Sequence, residues 1–302
     1  MRQILQFVVW LYLILYYCVF CLSRIHPHHH SPKAHKPRRS QLQGMAAGSS
    51  ITKSLKARLR CGGETLYGLL LASFSPTLTE IAGLAGYDFV VIDLAHGHGD
   101  IANALSCLRA LCSAQTPAII RLPENSETWA KKALDLGPQG LIFPLVNHPD
   151  SARAAVSYSH YPPKGIRGAA FPAVRASNYG FDPQYLAKCE KDLLVMCEVE
   201  SVDALDRIND IASVEGVDCI MLGPFGVSPD MNESLKNKLL LAEKSLLELK
   251  CESEKAPSLA ALAVPHDPPL DLKRRGYDMV CTGVDVALFR DAAIRNINMF
   301  KN

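Results

Sequence analysis

Eight short apolar runs, set between helix-patterned segments, are the feature that most restricts how this chain can fold. They read "LYGLLLASF" (66–74), "DFVVIDLA" (88–95), "PAIIRL" (117–122), "GLIFPLV" (140–146), "LLVMCEVE" (193–200), "CIMLGP" (219–224), "SLAALAVP" (258–265) and "DMVCTGVD" (278–285). Strands this continuously apolar are covered on both faces, which marks a parallel sheet; a sheet with one wet face would alternate. The segments between them, such as "SETWAKKALDLG" (126–137) and "SVDALDRINDIA" (201–212), carry helical periodicity and close near a glycine suited to a C-cap. Eight strand–helix units in roughly 235 residues predict an α/β fold of the closed (β/α)8 TIM-barrel type rather than an open doubly wound sheet. No G-x-G-x-x-G follows a strand, so a dinucleotide fold lacks its best signal.

The length of 302 residues and 48% hydrophobic composition suit one large domain with a sizeable core. With 32 basic against 30 acidic residues the net charge is +2, which gives no electrostatic reason to expect nucleic acid as a partner. Of the 10 cysteines, Cys18 and Cys21 make a C-x-x-C inside the apolar amino-terminal stretch, and the other eight are scattered singly and read as reduced thiols.

The amino-terminal part differs in kind. "ILQFVVWLYLILYYCVFCL" (4–22) has no charged residue and reaches the length of a membrane-spanning helix. The basic run "RIHPHHHSPKAHKPRRS" behind it would hold the remainder on the cytosolic side. Its His28, His29 and His30 read as part of a solvated linker rather than a metal site. The expected organisation is an apolar segment at 1–23, either a membrane anchor or a targeting segment, a His- and Pro-rich linker at 24–60, and the barrel at 61–302. Location follows: the cytosolic face of a membrane if residues 4–22 span it, otherwise plastid or cytoplasm. The rival account starts the folded sequence near Met45.

In such a barrel the chemistry sits at the carboxyl ends of the strands. There the chain places Asp93 and His96 after the second strand, Arg121 on the third, Glu198 and Glu200 on the fifth, "GPFGVS" after the sixth and Asp285 after the eighth. An arginine, a histidine and two carboxylates at one rim suit a small anionic substrate and a divalent cation. The competing bland readings are a buried ion pair for Arg121 and satisfied loop histidines for His96 and His98. The insertion "PPKGIRGAAFPAVRASNYGFDPQYL" (162–186), rich in Gly, Pro and Arg, reads as an active-site loop.

The order of these motifs, from "ETLYGLLLASFSPTLTEIAGLAGYDFVVIDLAHG" through "PAIIRLPENSETWAKKALDLGPQGLIFPLV", "YPPKGIRG", "VRASNYG", "CEVES" and "VEGVDCIMLGP" to "GVDVALFR", resembles the HpcH/HpaI aldolases, and plant-type members in particular. The resemblance implies a TIM barrel that assembles as a homo-oligomer, a hexamer, through an exchanged C-terminal helix. It also implies cleavage or formation of a carbon–carbon bond next to pyruvate in a small hydroxylated 2-oxo acid, through a metal-bound enolate. By position, His96 matches the proton-transfer histidine, Asp135 its acidic partner and Arg121 the arginine on the ketone oxygen. Glu200 matches a ligand of Mg2+ or Mn2+, and Gly223, Pro224, Phe225 and Gly226 match the turn that holds the substrate carboxylate. The chain departs from the pattern at several points: Ala95 stands where an acid precedes the histidine, and the segment after Ser228 is shortened. Gly226 stands where the family's second metal carboxylate belongs, and Glu198 stands where relatives show Gln. Period-two alternation puts 198 and 200 on one face, so Glu198 is expected to replace the missing metal ligand. Two functions follow: a class II 2-oxo-acid aldolase, or a catalytically weak barrel kept as a membrane-tethered binding or assembly module.

Overall fold

The computed structural model describes residues 53–223, 233–253 and 255–301. Within them all eight expected strands form, as β1 (Leu66–Leu71), β2 (Phe89–Asp93), β3 (Ala118–Arg121), β4 (Gly140–Phe143), β5 (Leu194–Val199), β6 (Cys219–Leu222), β7 (Ser258–Leu262) and β8 (Met279–Val284). Each pairs in parallel with its neighbours and β1 pairs with β8, which closes the barrel. Each strand stops short of its apolar run because the run continues into the rim. After Leu71, for example, the chain turns through Phe74 at a φ of 53°.

Helices α1 (Leu55–Cys61), α2 (Pro76–Leu84), α3 (Ile101–Ser113), α4 (Glu127–Leu136), α5 (Pro149–Ser159), α6 (Tyr185–Asp192), α7 (Val202–Leu205), α8 (Ile208–Ala212), α9 (Glu233–Glu252), α10 (Pro269–Arg275) and α11 (Asp285–Lys301) complete the described chain. Helix α4 starts where the sequence signals it, with the Ser126 hydroxyl accepting from Trp129 N, and ends at Gly137 in the left-handed region. The amphipathic stretch 201–212 forms two short helices, broken at Asp206 and Arg207, rather than one.

Strand side chains alternate between two cores. One core fills the barrel interior with Leu66, Leu70, Phe89, Val91, Ile119, Ile142, Leu194, Met196, Met221 and Met279 among others. The second lies between barrel and helices and includes Ile92, Ile120, Phe143 and Val195. Full burial of side chains of this size contributes about 1.5–3 kcal/mol each. Gly68 has no side chain because a Cβ there would fall inside the Phe89 ring. Helix α1 occupies residues that the sequence assigned to the linker. Its Leu55 joins the interior core, Leu55 N donates to Gln139 Oε1 at 2.9 Å, and Lys56 Nζ donates to Leu193 O at 3.0 Å and pairs with Asp218 at 2.8 Å. The basic character of "KSLKARLRC" masked the apolar positions Leu55 and Leu59, four apart on one helix face.

The insertion at 162–186, read from the sequence as an active-site loop, follows a helix. It leaves the C-terminus of α5, not of β4, and so runs along the end where the strands begin. There Arg175 Nη1 donates to Leu136 O at 2.5 Å, and Ala176 packs against Gly137. The apolar stretch 4–22 and the His28–His30 cluster lie outside the described residues. Among the described residues, no helix is long and apolar enough to cross a membrane.

Candidate active site

Alternation carries three charged side chains into the top layer of the barrel interior. Phe89, Val91 and Asp93 share a face of β2, Ile119 and Arg121 a face of β3, and Leu194, Met196 and Glu198 a face of β5. Asp93 and Arg121 are register partners on adjacent strands. Their side chains form a two-pronged pair, Arg121 Nε to Asp93 Oδ1 at 2.9 Å and Nη2 to Oδ2 at 2.7 Å. Arg121 Nη1 reaches across to Glu198, at 3.1 Å from Oε1 and 3.5 Å from Oε2. All three residues are buried.

Burial pushes the Glu198 carboxyl up to about 7; Arg121 opposes the rise, while Glu200 and Asp93 add to it. For Arg121 burial alone would weaken the charge, yet the hydrogen bonds and fields of Asp93 and Glu198 hold its pKa above the usual arginine value. Asp93, Glu198 and Arg121 together carry one excess negative charge when ionised, with Glu200 immediately beyond.

Asp93 also organises the "HGHG" turn. Its Oδ1 accepts from Ala95 N at 3.0 Å and from His96 N at 3.3 Å, so one carboxylate anchors both Arg121 and the backbone that carries His96. Both histidines are exposed. The two glycines between and after them are required by Phe74, whose ring occupies the space that a Cβ at Gly97 or Gly99 would need. The sequence reading placed Asp93 at the rim without a role. Its signal was present: an acid in strand register with the one arginine of β3.

Glu200, half-buried just past β5, accepts from Leu145 N at 3.2 Å. Gly223 is shaped to it, since a Cβ there would stand 2.6 Å from Glu200 Cγ and 3.1 Å from Val199 O. Pro224, Phe225 and Gly226 lie outside the described residues. Among the described residues no group of three or more His, Cys, Asp or Glu side chains converges as a metal site. Both oxygens of Glu198 face Arg121 Nη1, and Glu200 is the half-buried carboxylate beside them at this rim that could hold a cation. One carboxylate completed by substrate oxygens and water suits a loosely held Mg2+ or Mn2+.

Two expected members stand outside this cluster. Asp285 is buried at the start of α11, where its oxygens accept from Ala72 N at 2.9 Å and Ser73 N at 3.2 Å, and it splices the end of β1 to the end of β8. Asp135 sits in the last turn of α4, at the barrel end opposite His96, 3.8 Å from Arg167. Burial raises its pKa against the opposing fields of Arg167 and Lys131.

The pattern of HpcH/HpaI aldolase/citrate lyase matches residues 66–292. The chain is 33% identical over 256 residues to a 2-keto-3-deoxy-L-rhamnonate aldolase of Escherichia coli O17:K52:H18, covering 83% of this chain and 94% of that one. The crystal structure of a HpcH/HpaI aldolase/citrate lyase family protein from Burkholderia cenocepacia J2315 superposes with a TM-score of 0.73 at 31% identity, covering 83% of this chain and 100% of that one. An HpcH/HpaI aldolase from Desulfitobacterium hafniense DCB-2 shares the fold, with a TM-score of 0.72 at 19% identity over 83% of this chain and 98% of that one.

Proposed function

Because the chain belongs to the HpcH/HpaI aldolase/citrate lyase family, we propose that it is a carbon–carbon lyase acting on a small hydroxylated 2-oxo acid. The observation that carries this reading is Arg121, buried at the carboxyl end of the barrel interior and oriented by carboxylates on two sides. Of the five N–H bonds of a guanidinium, Asp93 takes two and Glu198 one. One N–H on each terminal nitrogen is left for substrate, which suits the oxygen on C2 of a 2-oxo acid.

In the cleavage direction, a base removes the proton of the C4 hydroxyl and the C3–C4 bond breaks. Its electron pair moves onto the pyruvate fragment and the aldehyde leaves. Arg121 stabilises the negative charge that gathers on the C2 oxygen, in a site where low water content strengthens the interaction. A proton then returns to C3. His96, exposed on the turn that Asp93 anchors, is the residue placed for proton transfer. A divalent cation at Glu200 would supply further polarisation of the 2-oxo acid. By the family resemblance, Gly223 and the residues that follow it would receive the carboxylate.

Asp135 can meet a His96 only if a second copy supplies one, since the two residues lie at opposite barrel ends of a single chain. Assembly is supported by α11, in which only Asp285 is buried and Phe289, Ile294, Met299 and Phe300 are exposed. The exposed Leu78, Ile81 and Leu84 of α2 support it too. A hexamer is the state the family resemblance implies. The test of the function is exchange of the pyruvate methyl protons into heavy water with Mg2+ or Mn2+ present. Metal-dependent exchange supports the lyase. Its absence, together with unimpaired assembly, leaves the binding or assembly module as the better reading.

A further inference from the structure

Resting on the lyase reading, we propose that Glu198 is a positioning residue that acts on the reaction through Arg121, by fixing which edge of the guanidinium faces the substrate. The fork between Asp93 and Arg121 holds one side of the group, Nε and Nη2, but both partners sit on neighbouring strands and can rock together. Glu198 comes from β5, with β4 between it and β3, and takes Nη1 from the other side. Contacts from two directions define the plane and its rotation. Only then do the two remaining N–H bonds point as one pair.

The position of Glu198 argues against a purely structural purpose. The carboxylate is fully buried and accepts from no group but Arg121 among the described residues. Removing water from a carboxylate costs several kcal/mol, and apolar side chains replacing a buried charged group are often neutral or stabilising. Its neighbours on the same face, Leu194 and Met196, show what the barrel otherwise selects at such positions. A carboxylate retained there does something that a Leu or Met cannot, and the one group it touches is the arginine assigned to the C2 oxygen. An extra carboxylate does not raise affinity for anionic pyruvate, so its effect belongs in turnover, where charge gathers on the C2 oxygen, and in the binding of oxalate, which already carries a charged oxygen at that place, rather than in KM for pyruvate.

The experiment compares the full chain with Glu198→Gln, Glu198→Ala, Arg121→Lys and the double variant Arg121→Lys/Glu198→Ala. It follows pyruvate methyl-proton exchange with saturating Mn2+, and oxalate binding by calorimetry. Gln keeps an acceptor oxygen for Nη1, so Glu198→Gln should retain kcat within threefold. Glu198→Ala should lose at least tenfold in kcat while KM for pyruvate changes less than threefold. In the Arg121→Lys background the same Ala substitution should cost less than twofold more. The thermal transition of each variant confirms folding, and Glu198→Leu replaces the Ala variant if that one does not fold. Full activity of Glu198→Ala, equal damage by Gln and Ala, or additive losses in the double variant would overturn the proposal. If the parent shows no exchange, the lyase reading fails. The oxalate titration then decides about Glu198 independently: selective change of oxalate binding in the Ala variant, with Gln unaffected, upholds positioning, and equal binding by all variants sinks it.

Discussion

Glu198 makes the barrel's stability depend on pH in a direction opposite to that of most carboxylates. In the unfolded chain it titrates near 4.5, and in the barrel, where burial outweighs the field of Arg121, at about 7. The fold therefore binds this proton more tightly than the unfolded chain does, and stability contributed by the protonated form is lost as pH rises through the folded pKa. Between pH 5 and pH 7.5 this one group should remove about 2 kcal/mol of stability, from a gap of about 2.5 pH units at about 1.4 kcal/mol per unit, partly expressed over that window. Glu198→Gln does not titrate. Urea unfolding of the parent and the variant, in metal-free buffer at one protein concentration, isolates the effect as the difference between them. That difference should move in favour of the variant by about 2 kcal/mol from pH 5 to pH 7.5. If it stays flat within about 0.5 kcal/mol, Glu198 is ionised throughout and Arg121 outweighs burial, which would refute the reasoning.

Three further outcomes follow. Arg121→Lys keeps the charge but loses the planar fork to Asp93, so turnover should fall more than tenfold and stability by about 1–3 kcal/mol, read from initial rates and urea midpoints. Gly223→Ala drives a methyl into Glu200, so Mn2+ titration should show roughly tenfold weaker binding if Glu200 is the ligand. In the native chain Cys61, Cys112 and Cys251 are exposed and should react with iodoacetamide, while Cys107, Cys197, Cys219 and Cys281 should react only after unfolding. Burial pushes the thiols of Cys197 and Cys281 up to about 12.

The barrel was legible because its strands are apolar on both faces, a pattern that few other sheets produce. The site was legible only in part. Arg121, His96 and Glu200 stand out as polar residues ending apolar runs. Their partners do not, because partnership is set by register and by reach across the barrel. Alternation put Glu198 on the inner face of β5, but it could not say that Arg121 Nη1 would reach it across the barrel, 3.1 Å from Oε1. The barrel end at which the insertion emerges was not legible, because it is set by the helix α5 in front of it, "PDSARAAVSYS", and a loop that follows a helix emerges at the opposite end from one that follows a strand. Asp285 is at the rim as its sequence position suggests, yet its oxygens accept from the backbone N–H groups of Ala72, Ser73 and Val286.

That splice between Asp285 and the end of β1 has a consequence for the order of events as the chain leaves the ribosome. β1 is made first and waits, with one edge unpaired, until β8 exists. By then Asp93, Arg121 and Glu198 have all been synthesised, on β2, β3 and β5, but an open sheet leaves them in water, where an ion pair is worth little. Completion of the last strand therefore shuts the barrel and switches on the electrostatics of the site in the same step, and a chain arrested before residue 279 would carry every charged member of the cluster without its field.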